Sequence, residues 1–243
     1  MTYCVGMLLS DGLVMLADTR TNAGIDDVAS HRKLHIIPVG GARSVMISTA
    51  GSLSVSQAAL HLLDKGVADP GGEAPATLAG CGSIIEAAHL VGRAILQARD
   101  DFKAATAEGV QTDATFLLGG RIGEEPLRLF MIYAEGNWIE CDADTPFLQI
   151  GEHKYGKPIL DRALTYDTEL LEGVKIGLLS MDATLRSNLS VGLPIDIAAL
   201  SPDGRAPEVE HRVGTDDAYF RELGVRWAEA LLVAERSIPA PPY

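Results

Sequence analysis

The chain has 243 residues, 47% of them apolar and 22% charged, with no biased tract, which excludes wholesale disorder, a collagen-like repeat and a disulfide-stapled miniprotein. Thirty-three Asp and Glu against 20 Lys and Arg leave a net charge of −13, so the surface repels phosphate, and neither nucleic acid nor an anionic membrane is expected as a partner. This length buries a sizeable core and makes one large domain or two small ones.

Strand-like segments open the chain. Residues 3–9 and 13–17 flank Ser10-Asp11-Gly12, a hairpin signal, and residues 33–39 and 43–49 repeat the pattern around Gly40-Gly41. The period then changes. Residues 53–66 and 83–103 carry apolar positions at helical spacing, for instance Ile84, Ala88, Val91 and Ile95. The loop between them, 68–82, is rich in Gly, Pro and Ala, and the mixed-sign residues 100–103 read as a solvated helix end.

A second strand block is expected at 113–119, 127–134, 138–141 and 147–150, with turns at 123–126 and 135–137. Helices at 155–164 and 168–186 precede strands at 193–200 and 208–213. A last helix, 216–235, puts Phe220, Leu223, Trp227 and Leu231 on one face, and a proline-rich tail, 238–243, is expected to fray. Segregated blocks joined by hairpin-length turns predict an α+β chain of antiparallel sheets with helices packed outside. Neither a linker nor a repeat interrupts the pattern, so residues 1–243 are read as a single domain.

Three widely spaced cysteines (Cys4, Cys81 and Cys141) form no CxxC pair and read as reduced thiols. The opening residues lack the basic region and cleavage site of a signal peptide. Residues 44–63 carry no Asp, Glu, Lys or Arg, but their Ser, Thr, Gln and His make a poor membrane span. A soluble cytoplasmic protein is expected.

Several chemistries lack their motif. There is no phosphate loop and no GxSxG elbow, and Gly80-Cys81-Gly82 fails as a dinucleotide fingerprint. His31 and His35 stand four apart, but Lys33 lies between them at a loop-to-strand step, so no metal site is assigned. No metal or organic cofactor is expected.

The informative residue is Thr2. A small residue after Met1 lets the initiator methionine be removed, leaving a threonine with a free α-amine of pKa about 7.7–8. Such a residue carries both a hydroxyl nucleophile and a general base. Three further elements follow in order. They are Ala17-Asp18-Thr19-Arg20 after the second strand, Lys33-Leu34-His35-Ile36-Ile37 in the third, and Thr49-Ala50-Gly51-Ser52 ahead of a helix. The set resembles the N-terminal threonine hydrolases of the proteasome β-subunit superfamily, and most nearly its bacterial Anbu (ancestral β-subunit) branch. The resemblance runs along most of the chain, through Ile150-Gly151 and the segment from Arg186 to Asp196.

The resemblance implies a four-layer αββα sandwich and hydrolysis of peptide bonds through an acyl-enzyme ester on Thr2. Lys33 is then the cation beside the hydroxyl, Asp18 the partner that orients it, and the Gly51 amide the oxyanion donor. Ser190 matches the family pattern, Arg20 braces the loop around Asp18, and Thr21, His31, Thr49 and Leu53 are pocket candidates. Two places depart from that pattern. Glu152 stands where many relatives carry a serine near the threonine amine, and Ser187, with Asn188 next, stands where many carry aspartate. The implied partners are a peptide or unfolded-protein substrate and further copies of the chain, in a ring or an open helical stack. A partner ATPase is neither implied nor excluded. Apolar faces on 53–66 and 83–103 are read as surplus surface for those contacts. Two other readings keep the fold: a non-catalytic assembly subunit, and an N-terminal nucleophile amidase acting on a small amide.

Overall fold

The computed structural model describes residues 2–22, 28–40, 43–68, 71, 74–105 and 109–243. In chain order the strands are β1 (Tyr3–Leu9), β2 (Gly12–Asp18), β3 (Arg20–Asn22), β4 (Val28–Ser30), β5 (Leu34–Gly40) and β6 (Arg43–Gly51), then β7 (Ala114–Gly120), β8 (Arg128–Ile132), β9 (Trp138–Glu140), β10 (Phe147–Gly151), β11 (Ile195–Leu200) and β12 (Val209–Val213). The helices are α1 (Leu53–Lys65), α2 (Ile84–Ala105), α3 (Lys157–Ala163), α4 (Leu170–Ser187) and α5 (Ala218–Ser237).

The first hairpin forms as the Ser10-Asp11-Gly12 signal predicts, with Cys4 opposite Ala17 and Leu9 opposite Gly12. It becomes the centre of a five-stranded antiparallel sheet ordered β10-β1-β2-β11-β12. The second sheet is a five-stranded antiparallel meander, β5-β6-β7-β8-β9. Each sheet is apolar on both faces because each is covered on both sides, and β2 is buried throughout its length.

Three apolar layers hold the four structural layers together. Cys4, Leu13, Met15 and Ala17 meet Leu34, Met46, Leu117 and Leu129 between the sheets. Outside the second sheet, Ile47, Phe116 and Phe130 pack under Val55, Val91 and Ile95 of α1 and α2. Outside the first, Val5, Met7 and Leu16 pack under Ile176, Met181 and Phe220 of α4 and α5. Each large side chain buried this way contributes about 1.5–3 kcal/mol. Polar caps set the helix starts. The Ser52 hydroxyl accepts from the Val55 amide at 3.5 Å, and Asp217 accepts from the Phe220 amide at 2.8 Å.

The αββα sandwich expected from the block order and the resemblance is the observed architecture. Three details differ. The β3–β4 ribbon, with Arg20 opposite Ser30, was not anticipated, because three-residue strands carry too little alternation to read. Strand β6 runs on to Gly51 instead of stopping at Thr49, drawn out by pairing with β7. The expected surplus of apolar surface on α1 and α2 is not found. Their large apolar residues pack on the sheet and on each other, and none is exposed. A group of exposed apolar residues lies instead on α5, at Val225 and, in its last turns, at Leu231, Leu232 and Val233. Residues 238–243 follow α5 outside any element, and the turn expected at Gly40-Gly41 falls partly outside the described residues, as does Met1. Among the described residues no helix is long and apolar enough to cross a membrane.

Candidate active site

Antiparallel pairing brings the start of β1 and the end of β2 to one end of the first sheet, so Thr2 and Asp18 are neighbours although far apart in sequence. The second sheet offers the start of β5 and the end of β6 at the same end, which adds Lys33 and Gly51. The Thr49 amide donates to the Lys33 carbonyl at 3.1 Å and holds that junction.

Asp18 is fully buried and Lys33 is 4% exposed, with Lys33 Nζ 2.8 Å from Asp18 Oδ1. The ammonium also donates to the Arg20 carbonyl at 2.6 Å. Asp18 further accepts from the Tyr3 amide at 3.0 Å and the Gly192 amide at 3.3 Å. Burial pushes its carboxyl above the ordinary carboxylate range, while the Lys33 charge and these hydrogen bonds pull it back down. A buried pair of this kind is costly to desolvate and is held by its hydrogen bonds, which fits a constellation kept for positioning.

Above the pair opens a cleft of about 520 Å³, lined by Thr2, Thr21, Lys33, Thr49, Gly51 and Leu53 among others. The Thr21 hydroxyl oxygen is buried there with no partner among the described residues. A second cavity of about 650 Å³ shares the Gly51 and Gly151 walls and runs on past Phe147, Gln149, His153 and Lys157. The two cavities adjoin at Ala50, Gly51, Gln111, Asp113 and Gly151, which line both.

Gly51 has φ +101°, and a Cβ there would overlap the Asp113 carbonyl oxygen. Only glycine fits this turn, which swings the backbone from β6 into the N-cap of α1 at the cleft wall. Gly151, φ +81°, stands against the Thr2 carbonyl oxygen with no room for a Cβ, and the next amide, of Glu152, donates to that oxygen at 2.6 Å.

Of the residues singled out from sequence, Thr2, Thr21, Lys33, Thr49, Gly51 and Leu53 therefore share one cleft, with Asp18 beneath it. Arg20 donates to the Leu189 carbonyl at 2.9 Å and braces the 189–192 turn, whose Gly192 amide reaches Asp18. Ser190 lies in that turn, half-buried, and its amide donates to Asn188 Oδ1 at 2.9 Å. Ser187 is exposed at the end of α4, and His31 is not among the lining residues; its amide bonds the Thr19 carbonyl at 2.8 Å. His35 is lowered in pKa by burial and by the Arg32 charge. Among the described residues no group of three His, Cys, Asp or Glu could hold a metal ion.

Sequence reasoning missed the Gly192 amide, Gln111 and Asp113 at the cleft, and the bond from Asn188 Nδ2 to Glu152 Oε2 at 3.0 Å. Only Glu152 and Asn188 left a trace, as departures from the family pattern.

No family model matches the sequence, and no curated protein is a significant match. Solved structures are similar over the full length. Anbu (ancestral beta-subunit) from Yersinia bercovieri is 41% identical over 98% of both chains, with a TM-score of 0.89. An Anbu (Gly-1) mutant from Hyphomicrobium sp. strain MC1 is 43% identical over 100% of both, with a TM-score of 0.90. The helical assembly of the Anbu complex from Pseudomonas aeruginosa contains a chain 40% identical over 99% of this chain and 98% of its own, with a TM-score of 0.88.

Proposed function

The chain belongs to the Anbu family, and from that premise we propose that it is a self-assembling threonine peptidase whose nucleophile is Thr2. The observation that carries the reading is the placing of Thr2 and Lys33 in one cleft, with Lys33 held by a buried Asp18. Removal of Met1 frees the Thr2 amine. Thr2 Oγ then attacks the carbonyl carbon of a peptide bond as its proton passes to that amine, and Lys33 stabilises the alkoxide. The Gly51 amide receives the developing oxyanion. The amine returns the proton to the departing peptide amine, and water hydrolyses the ester left on Thr2.

An extended peptide suits two adjoining cavities of about 520 and 650 Å³ better than a small amide does. The three free thiols, all buried, suit the cytoplasm, and the exposed apolar end of α5 suits contact with further copies. The helical assembly of the Pseudomonas relative supports the same reading.

The test is a peptide epoxyketone or β-lactone, read by intact mass. The processed chain is expected to gain one probe mass on Thr2, and a chain with a retained N-terminal extension none. An assembled, processed chain that neither takes the probe nor cleaves any peptide would be a scaffold subunit, and the proposal would be lost. Cleavage of small acylamides alone would move the reading to an amidase.

A further inference from the structure

The register of β1 and β10 opposes Tyr3 to Gly151 and Cys4 to Ile150. The strand β10 ends there at Gly151, φ +81°, and the next amide, of Glu152, donates to the Thr2 carbonyl at 2.6 Å.

Glu152 is unusual for a carboxylate. It is 5% exposed, and among the described residues no ion pair includes it. Among the described residues its oxygens accept from Asn188 Nδ2, at 3.0 Å, and from the Lys154 amide, at 3.4 Å. Buried carboxylates are otherwise protonated, paired or bound to a cation, because desolvating an unpaired charge is expensive.

Asn188 does more than hold Glu152. Its Oδ1 accepts from the Ser190 amide, and the same turn sends the Gly192 amide to Asp18, which accepts from Tyr3 in turn. A closed circuit results: Thr2, Glu152, Asn188, the 190–192 turn, Asp18, Tyr3 and back to Thr2. Two carboxylates sit on it. Asp18 has its cation in Lys33, and Glu152 has none among the described residues.

We propose that Glu152, held in place by Asn188, is a positioning residue that binds the α-ammonium of Thr2 once Met1 is gone. The inference rests on the reading of a processed Thr2. The freed amine supplies the missing counter-charge, and the carboxylate fixes its direction and raises its pKa. Other charged groups near Thr2 and Glu152 are Lys33 and Asp113 in the cleft, Asp18 beneath it, Arg20 in β3, and His153 and Lys154 beside Glu152 in the chain. All of them stay in place when Glu152 alone is changed.

The measurement is the titration of the α-amine in a chain that begins at Thr2. It is followed as the pH dependence of its acylation by an activated ester and located by peptide mass, so it needs no catalysis. E152Q keeps the shape and removes the charge, and is expected to lower the amine pKa by about one unit or more, the size of effect of an opposite charge at 4–6 Å. The acid limb of kcat/KM moves down with it, while KM changes little. Glu152→Asp keeps the charge and titrates close to wild type, which separates charge from general disturbance. Equal amine titration in wild type and E152Q would overturn the proposal even if the epoxyketone still labels Thr2, so the nucleophile reading survives separately. A shifted amine in a chain the probe never labels would keep the Glu152 contact and remove the peptidase reading instead.

Discussion

The Tyr3 amide donates to Asp18 Oδ1 at 3.0 Å, the same oxygen that Lys33 Nζ approaches to 2.8 Å. One carboxylate oxygen thus fixes both the residue after Thr2 and the Lys33 ammonium. Lys33→Ala is expected to lower kcat by at least ~10²–10³, the range for losing one electrostatic or acid–base contribution. Asp18→Ala acts largely through Lys33, so the double variant should be little slower than Lys33→Ala. Strictly additive losses in kcat would show that the two residues act independently.

The pH profile carries a sign. Burial holds the Asp18 carboxyl above its ordinary value, so on acidification it takes up a proton earlier than an exposed carboxylate. Activity should fall on the acid side as the Lys33 partner is neutralised. In Lys33→Ala the opposing pull is gone and Asp18 protonates at still higher pH. For stability the linkage runs the other way. The folded chain binds this proton more tightly than the unfolded chain, so the group's contribution is complete below its unfolded pKa and declines as pH rises through the folded one. Denaturant titrations of wild type and Asp18→Asn across the mildly acidic range measure it.

Gly51→Ala forces a Cβ onto the Asp113 carbonyl at a positive φ. The strain is about 1–3 kcal/mol for the dihedral alone. A lowered Tm together with a larger loss in kcat than in KM is expected, because the amide proposed as the oxyanion donor moves with the backbone. A variant with wild-type Tm and turnover would remove the oxyanion role from Gly51.

The thiols are predicted to be silent. Burial pushes Cys81 up to about 11, Cys141 up to about 12, and Cys4 higher still. A raised thiol pKa leaves almost no thiolate near neutrality, and thiolate is the reacting form. Native protein should take up little alkylating reagent at pH 8, and all three sites should react once it is unfolded. Fast labelling of the native chain would contradict the burial described here.

Assembly should depend on α5. Glutamate at both Leu231 and Leu232, each about half exposed on the free end of the helix (51% and 55%), is expected to shift large particles toward single chains by sedimentation. Circular dichroism should stay native, since neither side chain touches the core. Unchanged particles would place the contacts elsewhere on the subunit.

The hairpins and the long helices were legible because each declares itself within ten or twenty neighbouring residues. Gly12 closes the turn that leads from β1 into β2, and Ile84, Ala88, Val91 and Ile95 repeat at one helical face. Thr2, Asp18, Lys33 and Gly51 were legible only as an ordered set of short motifs. What escaped was whatever depends on register between distant strands. Nothing around Asn188 announces that its amide meets Glu152, and nothing in the Gly192 neighbourhood announces Asp18. The surplus apolar face was misplaced for a related reason. Composition tells which helix faces are apolar but not which sheet covers them.

Asp18 belongs to one sheet and Lys33 to the threshold of the other, and between the sheets lies only the apolar layer of Leu13, Met15, Met46, Leu117 and Leu129. A slip of one sheet along the other by a single residue is about 3.3 Å, more than the slack in a hydrogen bond. The ion pair is therefore a gauge of how the halves of the molecule are aligned. A load on the outer helices that shears the sandwich would therefore reach this pair with no residue of the cleft touched.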